Sequence, residues 1–497
     1  MRFESRLLSL ISEVVQGIRR VFITTEKGLF FMIHKFKMNG INIVLDVETG
    51  CAHVVDDIAY RLLDFVDSES LQSGQLDFSV LPGDLLEYSE ASVGEAFDEL
   101  ASLCGSGTLM SESDYPENIS AFRANAPVKA LCLNVSHDCN LKCSYCFASK
   151  ENYLGEKIVM DREVAFAAID FVAEKSVGRK NIEIDFFGGE PLLNFGVVKD
   201  TVDYARSVEE KHGKKFRFTV TTNGVLLNDE IINYINENMS NVVLSLDGRP
   251  EVHDKMRMSR CGGGSYNVVV KNFMKLANLR KGKDFYVRGT FTAENLDFTN
   301  DVLHIYKLGF KSISVEPVVC SSDAPYALRE EHIPAIYREY ERLAAECLRN
   351  DFGFFHFMID VDGGPCAVKR ISGCGAGCEY LSVTPSGDIY PCHQFVGKKE
   401  LLMGNVLEGK YDTSVRDRFL GINVLQKDKC RDCWAKYYCS GGCHANTYEF
   451  SGGLSEVYEF SCALMKKRVE CALFIKAVSC LEQEDSFHDG KFEVSAV

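Results

Sequence analysis

The sequence predicts an α/β fold centred on a partial (β/α)6 barrel of the TIM type, with a small α+β unit before it and a cysteine-rich unit after it. Three observations carry this reading. Six apolar runs of β type lie between Ala130 and Val319, with helical stretches between them. Strand-like runs precede helix-like runs within residues 32–115. Eleven of the 20 cysteines crowd into residues 366–480. Strands that alternate with helices imply a parallel sheet. Six strands rather than eight leave the barrel incomplete, with a lateral opening wide enough for a chain segment.

Composition sets the class. A chain of 497 residues corresponds to about three domains. Apolar residues make up 46% and charged residues 25%, which is ordinary for a cored, soluble protein. The net charge of −16 argues against nucleic acid, whose phosphates are bound through Lys and Arg. No apolar run reaches the roughly 18 residues of a membrane helix, so no membrane partner is expected. The early run LLSLISEVV is interrupted by Glu13 and has no small-residue cleavage site, so a cytoplasmic location is expected. Cysteines in that number, in a reducing compartment, point to metal.

Residues 1–31 form an N-terminal extension. They read either as an amphipathic helix or as a stretch upstream of the native fold, because a clean pattern begins only at Met32. Within 32–115, KFKM and NIVLDV flank Asn39-Gly40, a strong hairpin signal. A helix follows with Ile58, Ala59, Leu62, Leu63 and Val66 on one face. Another is expected to open at Ser92, with Glu95 completing a capping box, and to end near Gly105. The order of elements is similar to a winged helix. Three basic residues face sixteen acidic ones here, so the unit repels DNA. Two readings stand: an edge strand that accepts a peptide by β-augmentation, or an acidic accessory unit without a ligand.

Residues 116–129 read as a linker. The barrel, 130–340, takes its strands from 130–136, 181–187, 216–222, 241–247, 284–290 and 312–319. A bridging segment, 341–365, combines a helix with FGFFHFM. The cysteine-rich unit spans 366–480, and 481–497 is a polar, loose tail.

The chemistry sits in the cysteine spacing. Directly after the first barrel strand stand Cys139, Cys143 and Cys146. Three thiolates at this spacing wrap one face of an iron–sulfur cube and leave one iron without a protein ligand. A structural zinc site would want four ligands. Barrel chemistry belongs at the C-terminal ends of the strands, where the triplet lies. Gly188-Gly189-Glu190-Pro191 ends the second strand, Thr222-Asn223-Gly224 the third, and Ser245-Leu246-Asp247-Gly248 the fourth. The glycines let backbone approach a ligand, and Glu190 suits an ammonium group.

These residues resemble a radical S-adenosylmethionine (SAM) enzyme. Cys139, Cys143 and Cys146 match its cluster triplet, Tyr145 its aromatic residue, and Gly188, Gly189, Glu190 and Pro191 its SAM-amino motif. Asn223 lies in the strand-three turn, and Ser245 matches a position that contacts ribose or carboxylate. The resemblance implies a [4Fe-4S] cluster whose open iron is chelated by SAM, and reductive cleavage to a 5′-deoxyadenosyl radical. Arg257 and Arg288 are candidates for the SAM carboxylate or, equally, for structural ion pairs.

The C-terminal cysteines resemble the SPASM extension of these enzymes, which holds two auxiliary clusters, making three [4Fe-4S] clusters in all. By that match Cys430, Cys433, Cys439 and Cys462 bind the outer cluster, and Cys374, Cys392 and Cys443 the inner one. The fourth inner ligand is Cys366, Cys378 or a substrate thiolate. A single zinc ribbon over 430–443 would leave Cys374, Cys392 and Cys462 unexplained. The remaining cysteines (51, 104, 132, 261, 320, 347, 471 and 480) lack ligand spacing and read as small buried hydrophobes.

Whole segments, among them IHKFKMNGINIVLDV, DFFGGEPLLNF, SVEPVV, GCGAGCEYL and CRDCWAKYYCSGGC, resemble the SCIFF maturases, which form thioethers in a six-cysteine peptide. That resemblance implies leader-peptide recognition by 32–115, a cysteine-rich precursor peptide as substrate, and an electron donor such as flavodoxin or ferredoxin. Two alternatives compete. An anaerobic sulfatase maturase carries an aspartate where this chain has His393, which is here a hydrogen-bond donor behind a cluster or a packed imidazole. A non-catalytic iron–sulfur carrier would not need the intact triplet and GGEP.

Overall fold

The computed structural model describes residues 20–24, 30–112, 126–149, 158–361 and 367–488. Most of the linker and Cys366 lie outside the described residues.

The N-terminal unit is an antiparallel meander followed by three helices. Its strands are β1 (Arg20–Thr24), β2 (Phe30–Met38), β3 (Ile41–Asp46) and β4 (Ala52–Val55), paired in sequence order. Asn39 and Gly40 both take positive φ, 48° and 83°, and so close the β2–β3 hairpin as their residue types demand. Residues 20–24 pair with β2 from Arg20 opposite His34 to Thr24 opposite Phe30. This stretch is therefore a strand and not part of the expected helix.

The helices are α1 (Asp57–Leu62), α2 (Ser68–Ser73) and α3 (Glu90–Gly105). Helix α3 begins a turn before the expected Ser92. Its N-cap is Ser89, whose hydroxyl accepts from the Ser92 amide at 3.1 Å. Both serines suit a cap, and the earlier one adds a turn.

The β2–β3 sheet is buried on both faces. Phe31, Ile33 and Val44 pack on the unit's own helices. Met32, Phe36, Met38, Ile43, Leu45 and Val47 join the core of the rest of the molecule. Burial on both faces accounts for the nearly unbroken apolar runs in this part of the sequence.

The barrel strands are β5 (Ala130–Ser136), β7 (Asn181–Gly188), β8 (Lys215–Thr222), β9 (Asn241–Ser245), β11 (Tyr286–Phe291) and β12 (Ser312–Pro317), with a short β6 (Leu141–Cys143) and β10 (Arg257–Ser259) paired together beside them. The six pair in sequence order and in parallel, within a few residues of the expected bounds. Between them run α4 (Arg162–Lys175), α5 (Phe195–His212), α6 (Asp229–Asn238), α7 (Pro250–Met256), α8 (Tyr266–Leu279) and α9 (Thr299–Lys307). Alternation along β7 divides its faces. Ile182, Ile184 and Phe186 are fully buried in one core with Ala168 of α4 and Val202 of α5. Glu183, Asp185 and Phe187 turn to the other, partly open face.

The sheet continues past the barrel on both sides. After α10 (Ile333–Arg349), β13 (Gly353–Phe354) adds beside β12. After α11 (Ala367–Ser372), β14 (Tyr380–Val383) pairs in parallel with β5. Then β15 (Asp388–Tyr390), β16 (Gly404–Asn405) and β17 (Lys410–Tyr411) follow antiparallel. Among the described residues the sheet is open, with β13 and β17 at its ends. The cysteine-rich unit is thus continuous with the barrel in sheet and core.

It closes with α12 (Ser414–Leu420), α13 (Asp428–Arg431), α14 (Lys436–Cys439), α15 (His444–Ser451) and α16 (Glu459–His488). Helix α16 carries on to His488, so the first residues of the expected loose tail are helical.

Candidate active site and cysteine centres

The triplet loop leaves β5 and is pinned from several sides. Cys143 lies on β6 opposite Arg257 of β10. The Cys146 amide donates to the Cys143 carbonyl at 3.2 Å. The Asn223 amide nitrogen lies 2.7 Å from Asn140 Oδ1 and 3.6 Å from Cys139 Sγ. Burial, with smaller contributions from the other thiols of the triplet, pushes the Cys139 and Cys143 thiols up to about 12.

Gly188 and Gly189 let strand β7 end against this loop. A Cβ at Gly188 would stand 2.2 Å from the Ser136 carbonyl oxygen, and one at Gly189 would stand 2.3 Å from that of Asp138. Glu190 is fully buried below them. Its carboxylate accepts from the Thr222 hydroxyl at 2.8 Å, the Asn223 amide at 2.8 Å and the Leu192 amide at 3.1 Å. Burial pushes this carboxyl up to about 7. Glu190 therefore ties the ends of β7 and β8 together. Pro191 opens the turn that leads into α5.

Sequence reasoning assigned Asp247 no role, yet it is the hub of this end of the barrel. It is fully buried. It accepts from the Tyr145 hydroxyl at 2.6 Å and the Thr290 amide at 2.9 Å, and pairs with Arg257 Nε at 3.0 Å. The Arg257 guanidinium also lies over the Tyr145 ring, 5.6 Å from its centroid. Arg257 thus stands beside the triplet and in an ion pair at once. Arg288 stands opposite Ser245 in the sheet, and its partner is Glu316 at 3.2 Å. The only hint of Asp247 in the sequence is its place in Ser-Leu-Asp-Gly at a strand end.

The other cysteines gather as two further sets. Burial raises Cys392, and the charges of Cys443 and Cys374 add to it. Burial pushes Cys439 up to about 12, with Cys462, Cys433 and Cys430 adding. Cys392 and Cys443 are thus raised by members of one set, and Cys430, Cys439 and Cys462 by members of the other. Such a set fits a cationic cluster, whose binding relieves that mutual repulsion. Among the described residues no His, Cys, Asp or Glu group closes to the spacing of a single metal ion. The Cys378 sulfur lies 3.8 Å from the Arg416 carbonyl oxygen. Two cysteines expected to be buried, Cys261 and Cys480, are exposed.

Between the triplet and the inner set, Phe147, Phe187 and His393 are at least partly exposed and border an open space, the chamber. Phe147 follows Cys146, and its ring lies 6.5 Å from Phe187 and 5.8 Å from His393. Phe187 lies 4.9 Å from His393, the residue after Cys392. The Tyr380 hydroxyl is 3.1 Å from His393 Nδ1. Burial drives the His393 imidazole down to about 4, so it is neutral.

Comparison with known proteins agrees with this layout. The model of the radical SAM superfamily matches residues 133–296. The radical SAM cyclopropyl synthase TigE of Paramaledivibacter caminithermalis is 24% identical over 369 residues, covering 70% of this chain and 74% of that protein. The cysteine-type anaerobic sulfatase-maturating enzyme of Clostridium novyi is 24% identical over 340 residues, covering 63% and 86%. The solved structure of native anSMEcpe with bound AdoMet superposes with a TM-score of 0.60 at 21% identity, over 72% of this chain and all of that one. A radical SAM domain therefore occupies residues 133–296 of this chain.

Proposed function

We propose that the protein is a peptide maturase of the SCIFF type, forming thioether links within a cysteine-rich precursor peptide. The observation that carries the reading is the inner set. Cys443 and Cys374 both raise the Cys392 thiol, and Cys374 raises that of Cys443, while the Cys378 sulfur lies near the Arg416 carbonyl. Cys366 lies outside the described residues; in this reading the fourth place is taken by a substrate thiolate.

The remaining assignments follow. Cys139, Cys143 and Cys146 hold the SAM-binding [4Fe-4S] cluster, and Cys430, Cys433, Cys439 and Cys462 the outer auxiliary one. When bound, reduced cluster and SAM supply a 5′-deoxyadenosyl radical, which removes hydrogen from carbon. The chain's own groups bind and orient. Gly188 and Gly189 admit the amino end of SAM, and Arg257 and Tyr145, fixed on Asp247, line its site. Phe147, Phe187 and His393 wall the chamber in which the peptide core lies. The leader adds to β4, an edge strand that no other described strand pairs on its outer side. The acidic surface of this unit suits a leader bearing Lys or Arg. The electron donor is a flavodoxin or ferredoxin. No described helix is long and apolar enough to cross a membrane.

The similarity to sulfatase-maturating enzymes favours a second reading, oxidation of one cysteine to formylglycine. One experiment separates the two. A cysteine-rich precursor peptide is incubated anaerobically with reconstituted protein, SAM and reductant, then alkylated under reducing conditions and weighed. Loss of two hydrogens per link, with one thiol per link refusing the alkylator, is the expected result. Exchange of a thiol for an aldehyde oxygen would establish the second reading.

A further inference from the structure

A thiol that becomes a thioether sulfur must give up its proton, and the chamber has few groups able to take it. His393 is neutral, with its Nδ1 beside the Tyr380 hydroxyl, and burial makes it a weak base. Glu316 is engaged by Arg288 at 3.2 Å and by His356 at 3.5 Å. Burial raises its carboxyl, but His356, Arg288 and Arg468 outweigh that and hold it down near about 2.

Asp185 differs from both. It lies on the inner face of β7, two residues before Phe187, whose ring spans from Phe147 to His393. Its sheet neighbours are Cys132 on β5 and Thr219 on β8. It shares a hydrogen bond with Thr219, and its charge reaches Tyr380 and Tyr286 across the chamber. Among the described residues no Lys, Arg or His pairs with it. The nearest arginine on the neighbouring strand, Arg217, is 3.5 Å from Glu183 instead. Asp185 is partly exposed. This carboxylate is hydrogen-bonded to a neutral threonine, lies two residues before the ring that reaches Phe147 and His393, and has no cation paired with it among the described residues.

We propose that Asp185 is the proton acceptor for the substrate cysteine as it enters the chamber between Cys139/Cys143/Cys146 and Cys374/Cys392/Cys443. In this step the S–H bond breaks and an O–H bond forms on the carboxylate. The negative charge passes to sulfur, and no electron moves. Burial, then Glu183, pushes the Asp185 carboxyl up to about 6, close to the range in which general bases work. The other titratable groups facing it are Cys132, Glu183, Tyr286 and Tyr380, none of which is cationic. The inference rests on the thioether reading above.

The test compares the parent protein, Asp185→Asn and Asp185→Glu, each with measured iron content. The readout is thioether formed per 5′-deoxyadenosine released, as a function of pH. The parent ratio should hold above about pH 6 and fall below it. Asp185→Asn should lower the ratio about 100-fold at neutral pH, in line with loss of a general base. Its residual activity should climb toward the ordinary thiol pKa of about 8.5. Asp185→Glu should restore much of the ratio. A peptide with selenocysteine at the donor position, whose selenol ionises unaided, should rescue Asp185→Asn; a merely structural role would not be rescued. If Asp185→Asn loses iron, restoration by Asp185→Glu with iron intact supports the proposal, and failure of both overturns it. An Asp185→Asn protein that makes thioether at the parent ratio at every pH overturns it. A parent protein that cleaves SAM but never forms a thioether refutes the thioether reading instead.

Discussion

Removing the charge of Asp247 should cost more than any other single change at the mouth of the barrel. Asp247 is fully buried, and its Arg257 partner is only 12% exposed. Asp247→Asn keeps an acceptor for the Thr290 amide but leaves a guanidinium out of water without its counter-charge. Breaking a buried pair from one side costs about 3–5 kcal/mol. A domain's whole stability is about 5–15 kcal/mol, so the loss is a large share of it. Removing both charges, as Asp247→Asn with Arg257→Met, should recover part of that loss, because the stranded charge is gone. The assay is anaerobic urea unfolding followed by circular dichroism, run as a double-mutant cycle and paired with iron content. A cycle with no coupling, or a single mutant within about 0.5 kcal/mol of the parent, would refute the reasoning.

Two further outcomes are expected. Burial holds four histidines neutral in the folded chain: His137 and His393 at about 4, His253 and His356 at about 3. The unfolded chain takes up these protons near pH 6.5, so stability should be full above that pH and fall steadily as the pH drops toward 4. His253→Gln should flatten the slope of an unfolding midpoint against pH; an unchanged slope would count against burial as the cause. Glu48→Ala should strand Lys436, since this pair is 2.8 Å apart and both side chains are under a tenth exposed. Limited proteolysis should then release the N-terminal unit faster, and an unchanged rate would show that apolar packing alone holds it.

The sequence disclosed what local chemistry controls. The six barrel strands stand out because each has its own apolar run between helical stretches. The three cysteine sets stand out by spacing. What was hidden depends on distant partners. Strand β14 joins β5 across some 250 residues, and Tyr380–Val383 has no sign of belonging to a barrel edge. Arg20–Thr24 becomes a strand only because β2 offers it an edge. Asp247 looks like any turn aspartate until Tyr145 and Arg257 converge on it. The α3 boundary slipped because Ser89 and Ser92 are equally good caps on paper. Asp185 was visible only as a polar residue in a largely apolar strand, and the lack of a described cation beside it needed the fold.

The N-terminal sheet, buried on both faces, imposes an order on synthesis. Its own helices cover one face as soon as residue 105 has been made. The other face has to wait. Trp434 stacks on His34 at 3.6 Å between ring centroids, Glu470 reaches the same imidazole at 3.0 Å, and α16 packs on β3 and β4. All of these emerge last. At translation rates of about 5–20 residues per second, the apolar face stays uncovered for roughly 20 to 80 s. During that time it is a surface a chaperone would hold.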